Sequence, residues 1–153
     1  MLRLTKPLAI IDLETTGINL GVDRIIEIGM VKMLPDGNKS VKRKLINPEM
    51  PIPQHTTDMH GITNEMVKDA PTFKQAANDI KQFLDSCDLG GYNSNRFDIP
   101  MLMEEFLRVE VEFDMKGRKR CSCFVEVASG WEIKSDRLAM LIGINPLDGN
   151  VPE

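Results

Sequence analysis

The sequence has few of the features that would assign it to a specialised class of protein. Its 153 residues include three cysteines and two histidines, and no apolar run approaches transmembrane length. The net charge is −4, so binding to nucleic acid would require local basic patches or metal ions. The N-terminal stretch has no signal-peptide layout. We therefore expect a cytoplasmic location and no membrane association.

The cysteines carry no sign of a structural framework. Their number is odd, which argues against a set of disulfides. Cys121 and Cys123 are separated by one residue, which is the wrong spacing for a zinc knuckle, and no second Cys or His pair lies near them. We expect these two and Cys87 to be reduced thiols. An apolar fraction of 42% and a charged fraction of 27% are typical of a globular domain, and the chain is long enough for one with a core.

Hydrophobic patterning predicts strands that alternate with helices. The predicted strands are residues 8–13, 24–34 and 39–47, and a short strand with a turn is predicted over 88–93. The predicted helices are residues 62–70, 72–87 and 98–109. The turn residues 35–38 (PDGN) make the second and third strands an antiparallel hairpin. Thr72 and Gln75 predict a capping box. The order predicts an α/β domain with a mixed central sheet flanked by helices, with the antiparallel hairpin early and parallel strands later.

Two acids follow the first strand, in the stretch IDLETTG. Asp12 and Glu14 are two residues apart, so on a strand they point to the same side. Two carboxylates placed together repel each other, and a hard divalent cation such as Mg²⁺ removes that cost by taking both as ligands. Gly17 lets the backbone turn sharply after them. Acids after strands are common, and from these letters alone a plain loop is the more frequent explanation.

Asp98 has a good structural explanation of its own. It stands directly before Ile99 and Pro100, where an aspartate is a natural N-cap of a helix. Considered alone, this position indicates a cap more often than a metal ligand.

The motifs taken together are more specific than each alone. IDLETTG near the N-terminus, HGIT at residues 60–63 and GYNSNRFDIPML at residues 91–102 resemble the DnaQ-like 3′→5′ exonucleases, in the right order and at the right spacing. The family includes the proofreading subunits and domains of bacterial replicative polymerases. The resemblance covers about residues 6–119 of a single predicted domain, 1–153, and leaves a divergent tail at 120–153.

The resemblance implies a ribonuclease H-like fold and a site with two divalent metals, Mg²⁺ or Mn²⁺, held by four acids. It carries three of those acids onto Asp12, Glu14 and Asp98, which would be both catalytic and metal-binding. The residues it places near the terminal nucleotide are Thr15, Thr16, Gly17, His60, Asn93 and Phe97. For His60 a packing role before the next helix is the favoured alternative. His55 is expected in an exposed loop.

The tail departs from the family. The family has a His, or in a sister branch a Tyr, four or five residues before a fourth acid, and that His is the general base. This sequence has no His after His60 and no Tyr after Tyr92; Asp136 is the best tail acid, with Trp131 five residues before it. A strand at 123–127 and a helix at 135–142 are predicted there. We expect a C-terminally truncated fold, and a truncation or frameshift after about residue 119 would explain the change.

Three functions remain open at this point. The first is a metal-dependent 3′→5′ exonuclease, weak or inactive because its last motif is missing, that releases nucleoside 5′-monophosphates from a free 3′ end. The second is a degenerate module of the same fold that binds nucleic acid or a nucleotide without cutting. The third is a partner-binding domain whose acids are relics. A polymerase partner is implied by the resemblance. The basic clusters 39–44 and 116–120 could follow a nucleic-acid backbone, although a solvated charged face is the more common explanation.

Overall fold

The sheet is built around β1 (Leu8–Thr15), the nearly continuous aliphatic strand that ends in the two acids. The computed structural model describes residues 4–121. β2 (Ile25–Met33) and β3 (Lys39–Leu45) form the expected antiparallel hairpin, and β2 also pairs antiparallel with β1. β4 (Asp88–Gly90) and β5 (Arg120–Cys121) continue the other side as parallel strands. The strand order β3-β2-β1-β4-β5 confirms the mixed sheet.

Four helices accompany the sheet in the described part of the chain. They are α1 (Gln54–His60), α2 (Asn64–Val67), α3 (Phe73–Phe83) and α4 (Asp98–Arg108). The capping box at α3 is confirmed, because the Gln75 amide donates to the Thr72 hydroxyl and the Thr72 amide donates to the Gln75 side chain. None of the helices described is long and apolar enough to cross a membrane.

The helix predictions were wrong in three places. The helix α1 was missed, and His55, expected in a loop, lies in it as an exposed residue. Only Thr56 of α1 is buried, so the segment lacks the apolar periodicity that reveals a helix. The helix predicted over 62–70 is only the four residues of α2. The helix predicted to end at residue 87 ends at Phe83, and Ser86 follows with a left-handed φ of 58°.

The core lies against one side of β1. Ala9, Ile11 and Leu13 belong to a single buried cluster with apolar residues of α3 and α4, including Phe73 and Phe106. The rings of Phe73 and Phe106 meet edge to face with centroids 5.2 Å apart. Each fully buried aliphatic or aromatic side chain stabilises the fold by about 1.5–3 kcal/mol. This packing fixes the position of β1 against α4, the two elements that carry the predicted acids.

Side chains on the other side of β1 follow a different pattern. Leu8 and Ile10 are buried in a small separate cluster with Val31, and the next two residues with the same orientation are Asp12 and Glu14. The strand therefore changes from apolar to acidic along one face only. Asp136, Trp131, Cys123 and the elements predicted at 123–127 and 135–142 lie outside the described residues; Cys87 is a buried free thiol.

Candidate functional site

The site is centred on the end of β1. Asp12 lies opposite Gly29 of β2, and Glu14 lies opposite Glu27. Residues directly opposite each other in an antiparallel pair share a face of the sheet. The two predicted acids are thus joined by a third, Glu27, which is buried at 6% exposure. The sequence analysis missed Glu27 because it stands within the hydrophobic run of β2, where only the pairing register identifies its neighbours.

Asp98 reaches this place through a close contact between two backbone segments. A Cβ at Gly91 would lie 2.6 Å from the Ile11 carbonyl oxygen of β1, so only glycine allows the chain after β4 to pass there. The chain then turns into α4, and the Asp98 carboxylate accepts a hydrogen bond from the Leu13 amide at 3.2 Å. Phe97, not Asp98, is the N-cap of α4, and it makes no side-chain capping bond. Asp98 therefore contacts β1 between the two predicted acids.

Burial and mutual repulsion raise the pKa values of all three carboxyls. Burial, followed by the charge of Glu27, raises the pKa of Asp12 to about 6. Burial, followed by the charges of Asp12, Glu27 and Asp98, raises the pKa of Glu14 to about 7. Burial and the charge of Asp12 raise the pKa of Asp98 to about 7, although the Leu13 amide opposes this shift. The site concentrates negative charge that the fold does not fully neutralise.

One cation stands next to these acids. The Arg43 guanidinium forms an ion pair with Glu27, with Nη2 and Oε2 2.8 Å apart. Its charge lowers the pKa values of Asp12 and Glu14, against the larger effect of burial. The other basic residues of this strand have different partners, since Lys42 and Lys44 both pair with Asp79 of α3. The cluster 39–44 is thus divided between the two faces of the sheet.

The loop after β1 is held together by its own polar groups. Thr16, 1% exposed, donates its hydroxyl to Asp23 at 2.8 Å, and the same hydroxyl accepts from the Arg24 amide. The Thr15 hydroxyl donates to the Gly17 carbonyl at 2.6 Å. A Cβ at Gly17 would lie 2.5 Å from the Asp23 carboxylate. Both threonine hydroxyls therefore shape the loop, and Gly17 is required by the close approach of Asp23.

Arg108 joins this loop to α4. Arg108, at the last position of α4, donates to the backbone carbonyls of Leu20 and Asp23 and forms a 2.6 Å ion pair with Glu105. Burial raises the pKa of Glu105, and the nearby Arg108 and Arg24 oppose this shift. Both ends of α4 thus contact the segment that carries the acids, Asp98 at the strand and Arg108 at the loop.

His60 lies beside the same strand end. Its Nδ1 accepts a hydrogen bond from the Ile62 amide at 3.0 Å, so the proton of the neutral ring is on Nε2. Nε2 is buried and has no hydrogen-bond partner within residues 4–121. Burial lowers the pKa of His60, whereas the Thr15 backbone and the Glu27 charge raise it. His60 is close to the site, and its choice between packing and substrate contact stays a prediction.

Two further residues from the motif after β4 differ in exposure. Asn93 is exposed and adopts a left-handed φ of 51° in the turn before α4. Phe97 is partly buried and packs against the main core. Asn93 is thus the more exposed of the two, and both substrate-binding roles remain predictions.

The three carboxylates suit a hard divalent cation by their chemistry, since they are oxygen donors whose mutual repulsion a cation would relieve. Within residues 4–121, however, no three His, Cys, Asp or Glu side chains form a metal-ligand set. The donors are present as neighbours and not as a converged set. The fourth predicted ligand, Asp136, lies outside the described residues.

The comparisons with known proteins agree on one family. The RNase T family model, described as an exonuclease, matches residues 9–128. DNA polymerase III subunit epsilon of Rickettsia prowazekii is 38% identical over 112 residues, which cover 68% of this chain and 47% of that protein. The 3′-5′ exonuclease DinG of Staphylococcus epidermidis is 31% identical over 108 residues, 71% of this chain and 12% of that protein. This chain spans less than half the length of either relative.

Solved structures support the fold. Escherichia coli Exonuclease I in complex with a dA16 oligonucleotide superposes with a TM-score of 0.68 at 17% identity, over 76% of this chain and 28% of that one. A product-bound structure of exonuclease I gives a TM-score of 0.70 at 17% identity, over 95% of this chain and 40% of that one. The predicted ribonuclease H-like fold is confirmed.

Proposed function

Since the chain belongs to the RNase T family of exonucleases, we propose that it is a metal-dependent 3′→5′ exonuclease that releases nucleoside 5′-monophosphates from nucleic-acid 3′ ends. The observation that carries this proposal is the meeting of Asp98 with β1. The Leu13 amide, between Asp12 and Glu14, donates to the Asp98 carboxylate. Acids from two distant segments of the sequence are thus neighbours at one strand end.

In this proposal Asp12, Glu14 and Asp98 would hold divalent cations, Mg²⁺ or Mn²⁺, with two ions if a fourth acid completes the site. When bound, such ions lower the pKa of an attacking water and stabilise the leaving 3′-oxygen. The Leu13 amide orients the Asp98 carboxylate, and partial burial reduces the solvation of Asp12 and Asp98. The loop carrying Thr15, Thr16 and Gly17 would lie beside the terminal nucleotide.

The substrate we favour is a single-stranded 3′ end, because E. coli Exonuclease I has been solved with a dA16 oligonucleotide. A polymerase partner is a further proposal, which rests on the name of the polymerase III epsilon relative. We expect weak activity, because Trp131 stands five residues before Asp136, where the family has its histidine general base, and loss of a general base costs about 10²–10⁴-fold in rate.

That departure from the family also supports a second candidate, a module that binds a strand end without cutting. The test is incubation of a 5′-labelled single strand with Mn²⁺. We expect a ladder that shortens from the 3′ end, at least about a hundredfold slower for Asp12→Ala and unchanged for Asp69→Ala, which removes an exposed aspartate. A 3′-labelled strand should release a labelled 5′-mononucleotide. If the wild-type protein makes no ladder but Mn²⁺ still stabilises it, the binding module is correct and the exonuclease proposal is wrong.

A further inference from the structure

Arg43 lies in line with the acidic site across the sheet. In the pairing register Asp12 is opposite Gly29 of β2, and Gly29 is opposite Arg43 of β3. Paired residues in adjacent antiparallel strands share a face, so the carboxylate and the guanidinium belong to the same side of the sheet. Because the residue between them is glycine, no side chain of the middle strand separates the two in this row.

The Arg43 guanidinium is bound by one carboxylate, and the side chain is otherwise exposed. Its Nη2 bonds the Glu27 carboxylate, whose side chain is 8% exposed, while the Arg43 side chain is 54% exposed. A guanidinium has five N–H donors, so one ion pair leaves several for another acceptor. Glu27 is opposite Glu14 in the register, which places this anchor directly beside the site.

The charge of Arg43 also has no equivalent nearby on its strand. Lys42 and Lys44 point to the other face and pair with Asp79. A nucleic-acid strand that enters the site must bring its phosphates close to three carboxylates. A planar guanidinium binds a phosphate through two parallel hydrogen bonds. An arginine fixed by a buried acid is suited to that task, because less side-chain freedom is lost on binding.

We propose that Arg43, oriented by Glu27, binds a phosphate of the substrate strand near its 3′ end. The proposal rests on the proposed function for the nature of the ligand, a phosphodiester of a nucleic-acid strand. It assigns to β3 a role in substrate binding that the acids of β1 and α4 cannot perform, because they repel the same phosphate.

The test measures binding, not cutting. A 5′-fluorescein oligo-dT decamer is titrated with the full chain in EDTA and followed by anisotropy, in two forms, with phosphodiesters throughout or with uncharged methylphosphonates at the last three linkages. We expect Arg43→Gln to weaken binding of the charged strand about tenfold and of the methylphosphonate strand less than about twofold. Arg43→Lys should lie between, because it restores the charge without the fork of donors.

The matched control is Lys39→Gln, which removes the same charge from an exposed position of the same strand, opposite Met33 and far from Asp12 in the register. It should bind both strands like the wild-type protein. The proposal would be overturned if Arg43→Gln lost equal affinity for both oligonucleotides or lost affinity for neither. It would also be overturned if Lys39→Gln lost as much affinity as Arg43→Gln, or if the wild-type protein bound neither oligonucleotide. The cutting assay is scored separately: a ladder without the Arg43 effect defeats only this inference, and the Arg43 effect without a ladder defeats only the exonuclease proposal.

Discussion

Two acidic regions lie near the two ends of α4, one against β1 and the other against the loop that follows it, and they are built differently. At the C-terminal end of α4, Glu105 is 3% exposed, and its Oε1 lies 2.6 Å from Nη1 of Arg108. Arg108 also donates to two carbonyls of the loop after β1. At the N-terminal end of α4, Asp98 lies near Asp12 and Glu14, and the nearby Arg43 is already paired with Glu27. Within residues 4–121, the fully buried Glu105 is thus paired, whereas Asp98 and the partly buried Asp12 and Glu14 have no ion-pair partner.

Under the proposed function, this difference distinguishes a structural acid, Glu105, from the three acids proposed to bind metal. A buried ion pair with satisfied hydrogen bonds is costly to break, because one partner is left charged in a low-dielectric environment. A group of unpaired acids behaves in the opposite way. Their mutual repulsion destabilises the fold, so binding a cation should stabilise it. The two regions should therefore respond in opposite directions when one charge is removed.

The largest stability effect is expected at the paired region. Arg108→Gln should lower the free energy of unfolding by about 3 kcal/mol, because it leaves Glu105 buried without its partner and removes the bonds to Leu20 and Asp23. Urea denaturation measures this value. Arg96→Gln, at an exposed position, is the matched control and should have no effect. Adding Glu105→Gln to Arg108→Gln should recover part of the loss, and no recovery would show that the pair is not the source of the effect.

A smaller effect of opposite sign is expected at the unpaired region. Asp12→Asn should raise the free energy of unfolding by about 1 kcal/mol at pH 7.5 without metal, because it removes a buried charge that Glu27 repels. The same denaturation experiment in EDTA measures it. A variant less stable than the wild-type protein would mean that the charge of Asp12 is already neutralised in the fold.

The smallest effect is a pH dependence. The folded-state pKa values of Asp12, Glu14 and Asp98 are about 6, 7 and 7, above their ordinary values, so between about pH 4 and 7 the folded protein binds more protons than the unfolded chain. The stability that these groups contribute is complete below their ordinary pKa values and is lost as the pH rises through the folded ones. When the pH is raised from 5 to 7.5 in EDTA, the melting temperature should therefore fall less for Asp12→Asn than for the wild-type protein. Equal falls would contradict the raised pKa of Asp12.

Local sequence rules predicted the elements that have strong local signals. The aliphatic run of β1, the turn chemistry between β2 and β3, and the capping box of α3 each specify a structure within a few residues. Alternation along β1 also predicted that Asp12 and Glu14 share a side. The helix α1 has no such signal, since it begins after Pro53 without a side-chain cap and buries one residue.

The parts of the site that could not be predicted depend on distant pairing. Glu27 joins the acids only because the β1–β2 register sets it opposite Glu14, and Arg43 only because the β2–β3 register continues the row from Gly29. Gly91 is required by a contact with Ile11, eighty residues away in the sequence. Arg108, at the end of a regular amphipathic helix, gave no sign that it contacts the loop after β1. The metal-binding and catalytic roles of Asp12, Glu14 and Asp98 stay predictions.

The central claim is that the unpaired acids at the end of β1 hold a divalent cation. The most direct measurement is the melting temperature at pH 7.5 with and without Mn²⁺, for the wild-type protein, Asp12→Asn and Glu105→Gln. Binding at a hundredfold excess over the dissociation constant stabilises a native state by about 2.7 kcal/mol. The account predicts a rise of several degrees for the wild-type protein and for Glu105→Gln, each against its own metal-free value, and little or none for Asp12→Asn. No rise in the wild-type protein, or an equal rise in Asp12→Asn, would contradict it.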